Sequence, residues 1–196
     1  MGRSDRPALR EGASAILLDT DGRLLLQLRD NLPHIRDPGK ISLFGGSREG
    51  NESFLDCIVR EVHEEIGCYL PPARFAQIGR WAGPDYAFPG DTFHGEIFLA
   101  NEVPVDQLTI AEGALRIVAV DELELVRPHL SLAAQYALGI FLSREQTIRS
   151  LPAPAEGQLR PTTRQAVDDT VGQAINRQVT FDGQPVVICS SDQPKS

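Results

Sequence analysis

Long apolar runs are missing from this sequence. No stretch of about 18 apolar residues occurs, so no membrane-spanning helix is expected. The opening MGRSDRPALREGAS lacks the apolar centre of a secretory signal. Cysteine is scarce. Cys57, Cys68 and Cys189 are scattered, with no CxxC pair and no histidine at metal-ligand spacing, which argues against a zinc site. All three are expected to be reduced thiols in a cytoplasmic protein. Basic residues are outnumbered, 19 Lys and Arg against 27 Asp and Glu, for a net charge of −8. That balance argues against broad electrostatic binding of long nucleic acid. An anionic substrate would have to be met by locally placed arginine, lysine or metal. Internal repeats are also missing. What remains is an ordinary globular composition, 41% hydrophobic and 23% charged, in 196 residues. This is enough for one core of roughly 150 residues and an appendage.

Along the chain, SAILLDTDGRLLLQLR reads as two strands joined at Asp21-Gly22. A loop with two prolines follows, and ISLF then predicts a short strand ending at Gly45-Gly46. From Ser53 the period changes: Leu55, Ile58, Val59, Val62 and Ile66 recur at three- and four-residue steps, which predicts an amphipathic helix. Ser53 and Asp56 suit its start, and Gly67 with Pro71-Pro72 suits its end. Further strands are expected from Phe75 to Trp81, in HGEIFLA and in LRIVAV. LSLAAQYALGIFL predicts a second helix, with Leu132, Tyr136 and Ile140 packing at helical spacing. From Ser143 the chain turns polar and proline-bearing, as in a linker or arm. Asp182-Gly183 then lies between two runs that suit a hairpin over Arg177–Cys189.

The stretch GGSREGNESFLDCIVREVHEEIGC, Gly45 to Cys68, concentrates the charge. On a helix, Glu61, Glu64 and Glu65 fall within an arc of roughly 100°, beside the apolar stripe. Carboxylates so close raise one another's pKa, and Arg60 alone cannot reach all three. A hard divalent cation with oxygen ligands, Mg²⁺, would offset that repulsion and could grip a phosphate. Taken alone, an acidic helix face is more often solvated surface.

The whole stretch resembles the Nudix box, Gly-x5-Glu-x7-Arg-Glu-U-x-Glu-Glu-x-Gly-U with U bulky and apolar. Gly46, Glu52, Arg60, Glu61, Val62, Glu64, Glu65, Gly67 and Cys68 fill its positions. Cys68 is smaller than the usual aliphatic, and the loop has Gly50-Asn51 where the family commonly has Pro-Gly. The resemblance implies an α/β (α+β) fold, an α/β/α sandwich with a mixed sheet, in a hydrolase domain of residues 1–145. Residues 146–196 would form a C-terminal extension of arm and β-hairpin, which could pack on its own domain or form a homodimer contact. The resemblance further implies that Glu61, Glu65 and the Gly45 carbonyl hold Mg²⁺, with Mn²⁺ a substitute. Glu64 would be a further ligand or orient the attacking water. Arg60 would brace the site through Glu52. Glu112 resembles a glutamate that some members bring to the metal from outside the box. The implied activity is Mg²⁺-dependent cleavage of a nucleoside diphosphate linked to another moiety, such as a nucleoside triphosphate or nucleotide sugar. The alternative is a non-catalytic nucleotide-binding regulatory module on the same fold.

The substrate is less legible. Arg29 is the first candidate for the outer phosphates, because it stands where a strand enters the site-forming loop. Arg36, Lys40 and Arg48 are weaker candidates. Trp81, Tyr86, Phe88 and Phe93 could stack a base, and His94 could touch substrate, although ordinary packing competes for each.

Overall fold

Consecutive buried residues along β1 (Arg10–Asp19) and β2 (Leu24–Leu28) build a sheet covered on both faces. The computed structural model describes residues 10–85, 88, 90–150, 180–181 and 184–185. Seven strands form one sheet: β1 (Arg10–Asp19), β2 (Leu24–Leu28), β3 (Ile41–Ser42), β4 (Phe44–Ser47), β5 (Ala76–Pro84), β6 (Thr92–Val103) and β7 (Ala114–Val118). β1 runs parallel to β6 and antiparallel to β2 and β4, so the sheet is mixed. One edge of β1 is divided, with Gly12 to Ala15 pairing β4 and Leu17-Leu18 pairing β2.

Successive residues point to opposite faces. Leu17, Leu25 and Phe98 pack with Ile58, Val62 and Ile66 of α1 (Phe54–Ile66). Their neighbours Ile16, Leu24 and Ile97 pack with Ala134, Leu138 and Phe141 of α3 (Leu132–Ser150). The short α2 (Leu123–Val126) precedes α3 and buries Leu123. The result is the expected α/β/α sandwich. Burial on both faces explains why these strands read as continuous apolar runs. Each fully buried Leu or Ile contributes about 1.5–3 kcal/mol.

The structure changes several details. ISLF is split at Leu43 into β3 and β4, and Gly45-Gly46 lie inside β4, paired with Ser14 and Ala13. α3 buries Ala134, Ala137, Leu138 and Phe141, whereas Leu132 and Tyr136 are exposed. Apolar residues surround that helix, so spacing alone could not choose its face. α3 also continues to Ser150 through the segment expected to begin the linker, since no proline intervenes before Pro152. Of the C-terminal hairpin, β8 (Thr180–Phe181) and β9 (Gln184–Pro185) pair antiparallel. The rest of that arm lies outside the described residues.

Cys57 is a free buried thiol, pushed up to about 12 chiefly by burial, and so is no nucleophile. Cys68 departs from the expectation of three reduced thiols, because it is disulfide-bonded. Scattered spacing carries no information about which cysteines meet in space. Cys189 lies outside the described residues. Among the described residues, no helix is long and apolar enough to cross a membrane.

Candidate active site

The acidic stretch folds as a strand, a tight loop and a helix that turns back over the strand. Ser53 caps α1 by accepting from the Asp56 N–H at 3.0 Å, and the Asp56 carboxylate accepts from the Ser53 N–H in return. Gly67 ends the helix in the left-handed conformation, φ 66°. In the loop, Gly50 takes the positive φ of 51° that a side chain would resist, and the turn closes with the Glu52 N–H donating to Glu49 O. The loop therefore survives its departure from the usual sequence.

Gly46 lets the helix approach. A Cβ there would lie 2.4 Å from the Glu61 carboxyl. Gly46→Ala should therefore fold, because a flexible side chain end can give way, but with Glu61 displaced. We expect a loss of under about 1 kcal/mol in stability and a fall in kcat on the order of 10²-fold. Thermal melts beside steady-state kinetics check this; unchanged kcat would contradict the placement of Glu61.

Arg60 is the hub of the loop–helix junction. Its Nη2 donates to Glu52 Oε1 at 2.7 Å and its Nε to Oε2 at 3.2 Å. The same guanidinium donates to Ser47 O at 3.1 Å, Glu61 Oε1 at 3.0 Å and Glu64 Oε2 at 3.3 Å. The Arg60 hydrogen bond holds the Glu52 carboxyl below its ordinary value, and Glu52 in turn raises Arg60. Burial pushes Glu61 up against the opposing pull of Arg60.

Arg60 makes no ion pair with Glu65. This carboxylate is 7% exposed and has no ion-pair partner among the described residues. Glu65 Oε2 accepts from the Gly45 N–H at 2.7 Å, and Oε1 accepts from Gln27 Nε2 at 3.2 Å. Burial raises its pKa to about 7, with Glu61 and Glu112 adding repulsion, while the Gly45 and Gln27 hydrogen bonds oppose the rise. The available donors are carboxylate oxygens and backbone carbonyls, which suit a hard cation. Among the described residues no three Asp, Glu, His or Cys side chains form a preassembled cage.

The NUDIX domain family model matches residues 8–137. The chain belongs to the Nudix hydrolase family. Nudix hydrolases generally use divalent metal ions. The chain is 33% identical over 135 residues to the NAD-capped RNA hydrolase NudC of Stutzerimonas stutzeri (strain A1501); the match covers 69% of this chain and 46% of that protein. It thus spans less than half the length of that curated relative. A MutT NUDIX hydrolase from Burkholderia pseudomallei has 25% identity and a TM-score of 0.55, covering 68% of this chain and 98% of the other. The NUDIX domain of Shewanella oneidensis NrtR, solved with ADP ribose, is similar in fold at 17% identity and a TM-score of 0.56, covering 71% and 90%.

Outside the Nudix box, a cavity of about 680 Å³ opens from Gly45, Gly46 and Ser47 toward α3. Arg29 and Arg36 line it. Arg29 Nε donates to Arg36 O at 2.7 Å and Nη1 to Gln27 Oε1 at 3.2 Å. Lys40 and Arg48 do not line it; Lys40 donates to Pro128 O, and Arg48 pairs with Glu11 beside the Phe54 ring. Trp81 and Phe93 line the cavity, His94 on β6 is exposed outside it, and Tyr86 lies outside the described residues. Glu112 is exposed, and its backbone carbonyl accepts from Gln27 Nε2 at 3.3 Å.

Gln27 is the site residue that sequence reasoning missed. Only 1% exposed, it contacts Glu65, Arg29 and the Glu112 carbonyl at once. Both ends of its amide are engaged, so a flip would set its carbonyl against a carboxylate. The available signal was one amide in LLLQL, a strand otherwise all leucine.

Proposed function

We propose that this Nudix enzyme is a Mg²⁺-dependent pyrophosphohydrolase that cleaves a nucleoside diphosphate linked to another moiety. The observation that carries this reading is Glu65, a buried carboxylate without an ion-pair partner among the described residues. Burying a charge is costly unless a counter-charge accompanies it. A ligand cation held by Glu61, Glu65 and the Gly45 carbonyl supplies that charge, with Glu112 able to join from its loop. When bound, the metal lowers the pKa of a water and offsets charge on the phosphate oxygens.

The chain's own groups do the rest. Glu64, the most exposed of the three helix glutamates, orients the attacking water and accepts its proton. Arg60, through Glu52 and the Ser47 carbonyl, fixes the loop against α1 so that Glu61 keeps its place. Gln27 orients Glu65 and, through the same amide, Arg29. Arg29, with no ion-pair partner among the described residues, receives the outer phosphate at the cavity wall.

The NudC relative is named for hydrolysis of NAD-capped RNA, which adds a diphosphate between two nucleosides to the candidates. A net charge of −8 favours a small diphosphate over long RNA. The test is a panel of nucleoside triphosphates, nucleotide sugars, ADP-ribose, NAD and dinucleoside polyphosphates, read as phosphate released with a coupled phosphatase. Hydrolysis of at least one class should require Mg²⁺, disappear with EDTA and return with Mg²⁺ or Mn²⁺. No hydrolysis across the panel in either metal would overturn the reading.

A further inference from the structure

We propose that Gln27 couples the two ends of the site, so that a cation at Glu65 and a phosphate at Arg29 strengthen one another's binding. This rests on the hydrolase reading above and adds an energetic link between its two ligand positions.

Gln27 stands in β2, a strand otherwise all leucine, and is 1% exposed. Its amide is engaged at both ends. Nε2 donates to Glu65 Oε1 at 3.2 Å and to the Glu112 carbonyl at 3.3 Å, while Oε1 accepts from Arg29 Nη1 at 3.2 Å. Turned over, the amide would set its carbonyl against the Glu65 carboxylate and its N–H groups against the guanidinium. One orientation alone satisfies all three partners. Because the amide is planar, the direction of Nε2 fixes the direction of Oε1. The carboxylate and the guanidinium are therefore joined to opposite ends of one rigid group.

Each of them keeps capacity for a ligand. Glu65 accepts one hydrogen bond at each oxygen, from Gln27 and from the Gly45 N–H, which leaves lone pairs for a cation. Arg29 lines the cavity and donates through Nε to the Arg36 carbonyl and through Nη1 to Gln27. Its Nη2 has no partner among the described residues. A cation that fixes Glu65 restricts the Gln27 amide, and a phosphate that fixes Arg29 restricts the same amide. Whichever ligand arrives second meets a group already ordered and loses less freedom on binding. The effect is reciprocal by thermodynamic necessity. Leucine at this position would suit the strand but connect nothing. Gln27 is thus a positioning residue, acting through the groups that hold the ligands.

The probe is methylenediphosphonate, which presents two phosphonates with no anhydride to hydrolyse and no base to select. Calorimetric titration into the full chain, in EDTA and again in saturating Mn²⁺, gives two Kd values whose ratio measures the coupling. Chelation of Mn²⁺ by the probe itself is common to all variants and cancels between them. Gln27→Met keeps the length without donor or acceptor, and should lower the wild-type ratio about tenfold. Gln27→Asn keeps an amide too short to reach both partners and should lower the ratio as well; it carries the test alone if the methionine variant does not fold. Arg29→Met should also lower the ratio, and the double variant Gln27→Met/Arg29→Met should lower it no further, because both changes cut one link. Lys40→Gln removes a cation that does not line the cavity and should keep the wild-type ratio. The proposal is overturned if the Gln27 variants keep the wild-type ratio, if Lys40→Gln loses as much as they do, or if Mn²⁺ does not tighten the probe in wild type. Any of these beside Mg²⁺-dependent hydrolysis would sink this inference alone; absence of hydrolysis across the panel would sink the reading beneath it.

Discussion

Glu65→Gln is expected to slow hydrolysis on the order of 10³-fold while stabilising the metal-free protein above neutral pH. The amide oxygen can still accept from the Gly45 N–H, so the helix and β4 stay joined. What is lost is the anionic oxygen offered to a cation. Metal stabilisation of developing charge is worth several kcal/mol, so kcat should fall on the order of 10³-fold. Stability should move the other way. Glu65 is lifted from an ordinary 4.5 to about 7, mainly by burial. A carboxyl whose folded-state pKa is raised contributes stability that is fully present below about 4.5 and lost as pH rises through about 7. The difference has an upper bound of about 3 kcal/mol. In EDTA, wild-type melting temperature should therefore fall from pH 5 to pH 8.5 relative to the variant. The gap should reach roughly 6–12 °C at the upper end. Glu61 is also raised, mainly by burial, and is present in both proteins, so only its repulsion with Glu65 differs between them. Parallel pH profiles would show that Glu65 does not carry the buried charge.

Arg60→Ala should be among the most destabilising substitutions in the site. One guanidinium serves Glu52, Glu61, Glu64 and the Ser47 carbonyl, and the Arg60 side chain is only 14% exposed. Removing it leaves Glu52 and Glu61, 17% and 16% exposed, without their counter-charge. Breaking a buried pair costs about 3–5 kcal/mol. Partial exposure here reduces that to about 2–4 kcal/mol, since solvent screens part of the loss. Arg60→Lys should rescue little, because one ammonium cannot span both Glu52 oxygens and the Ser47 carbonyl. Urea unfolding of both variants checks this. Full stability in the lysine variant would mean that charge alone, without the forked geometry, holds the loop.

α1 was legible in advance because independent local signals agree: apolar residues at helical steps, a Ser53–Asp56 capping box and a glycine at the position that must turn left-handed. The box residues added a fixed spacing that places Glu61, Glu64 and Glu65 on one arc. The sheet was legible as strands, but the break at Leu43 was not, because it comes from β1 dividing its edge between β4 and β2. The buried face of α3 was hidden for a different reason. Leu132, Tyr136 and Ile140 keep helical spacing as well as Ala134, Ala137, Leu138 and Phe141 do. Only the packed sheet decides that Ala134, Ala137, Leu138 and Phe141 are buried, with Ile140 packing beside them, while Leu132 and Tyr136 stay exposed. Gln27 was missed because its importance lies in three partners distant in sequence: Glu65, the Glu112 carbonyl and, through the strand's end, Arg29. Phe93 was one of four aromatics that could stack a base, with ordinary packing competing; its ring carries the guanidinium groups of Arg10 and Arg36.

The central claim is that the carboxylates of α1 hold a divalent cation. Calorimetric titration of Mn²⁺ into the nucleotide-free protein, wild type beside Glu65→Gln, tests it most directly. Wild type should bind saturably and the variant at least about tenfold more weakly, as expected when a group at the metal is removed. Equal binding by the two proteins would contradict the account, whatever either does to a substrate.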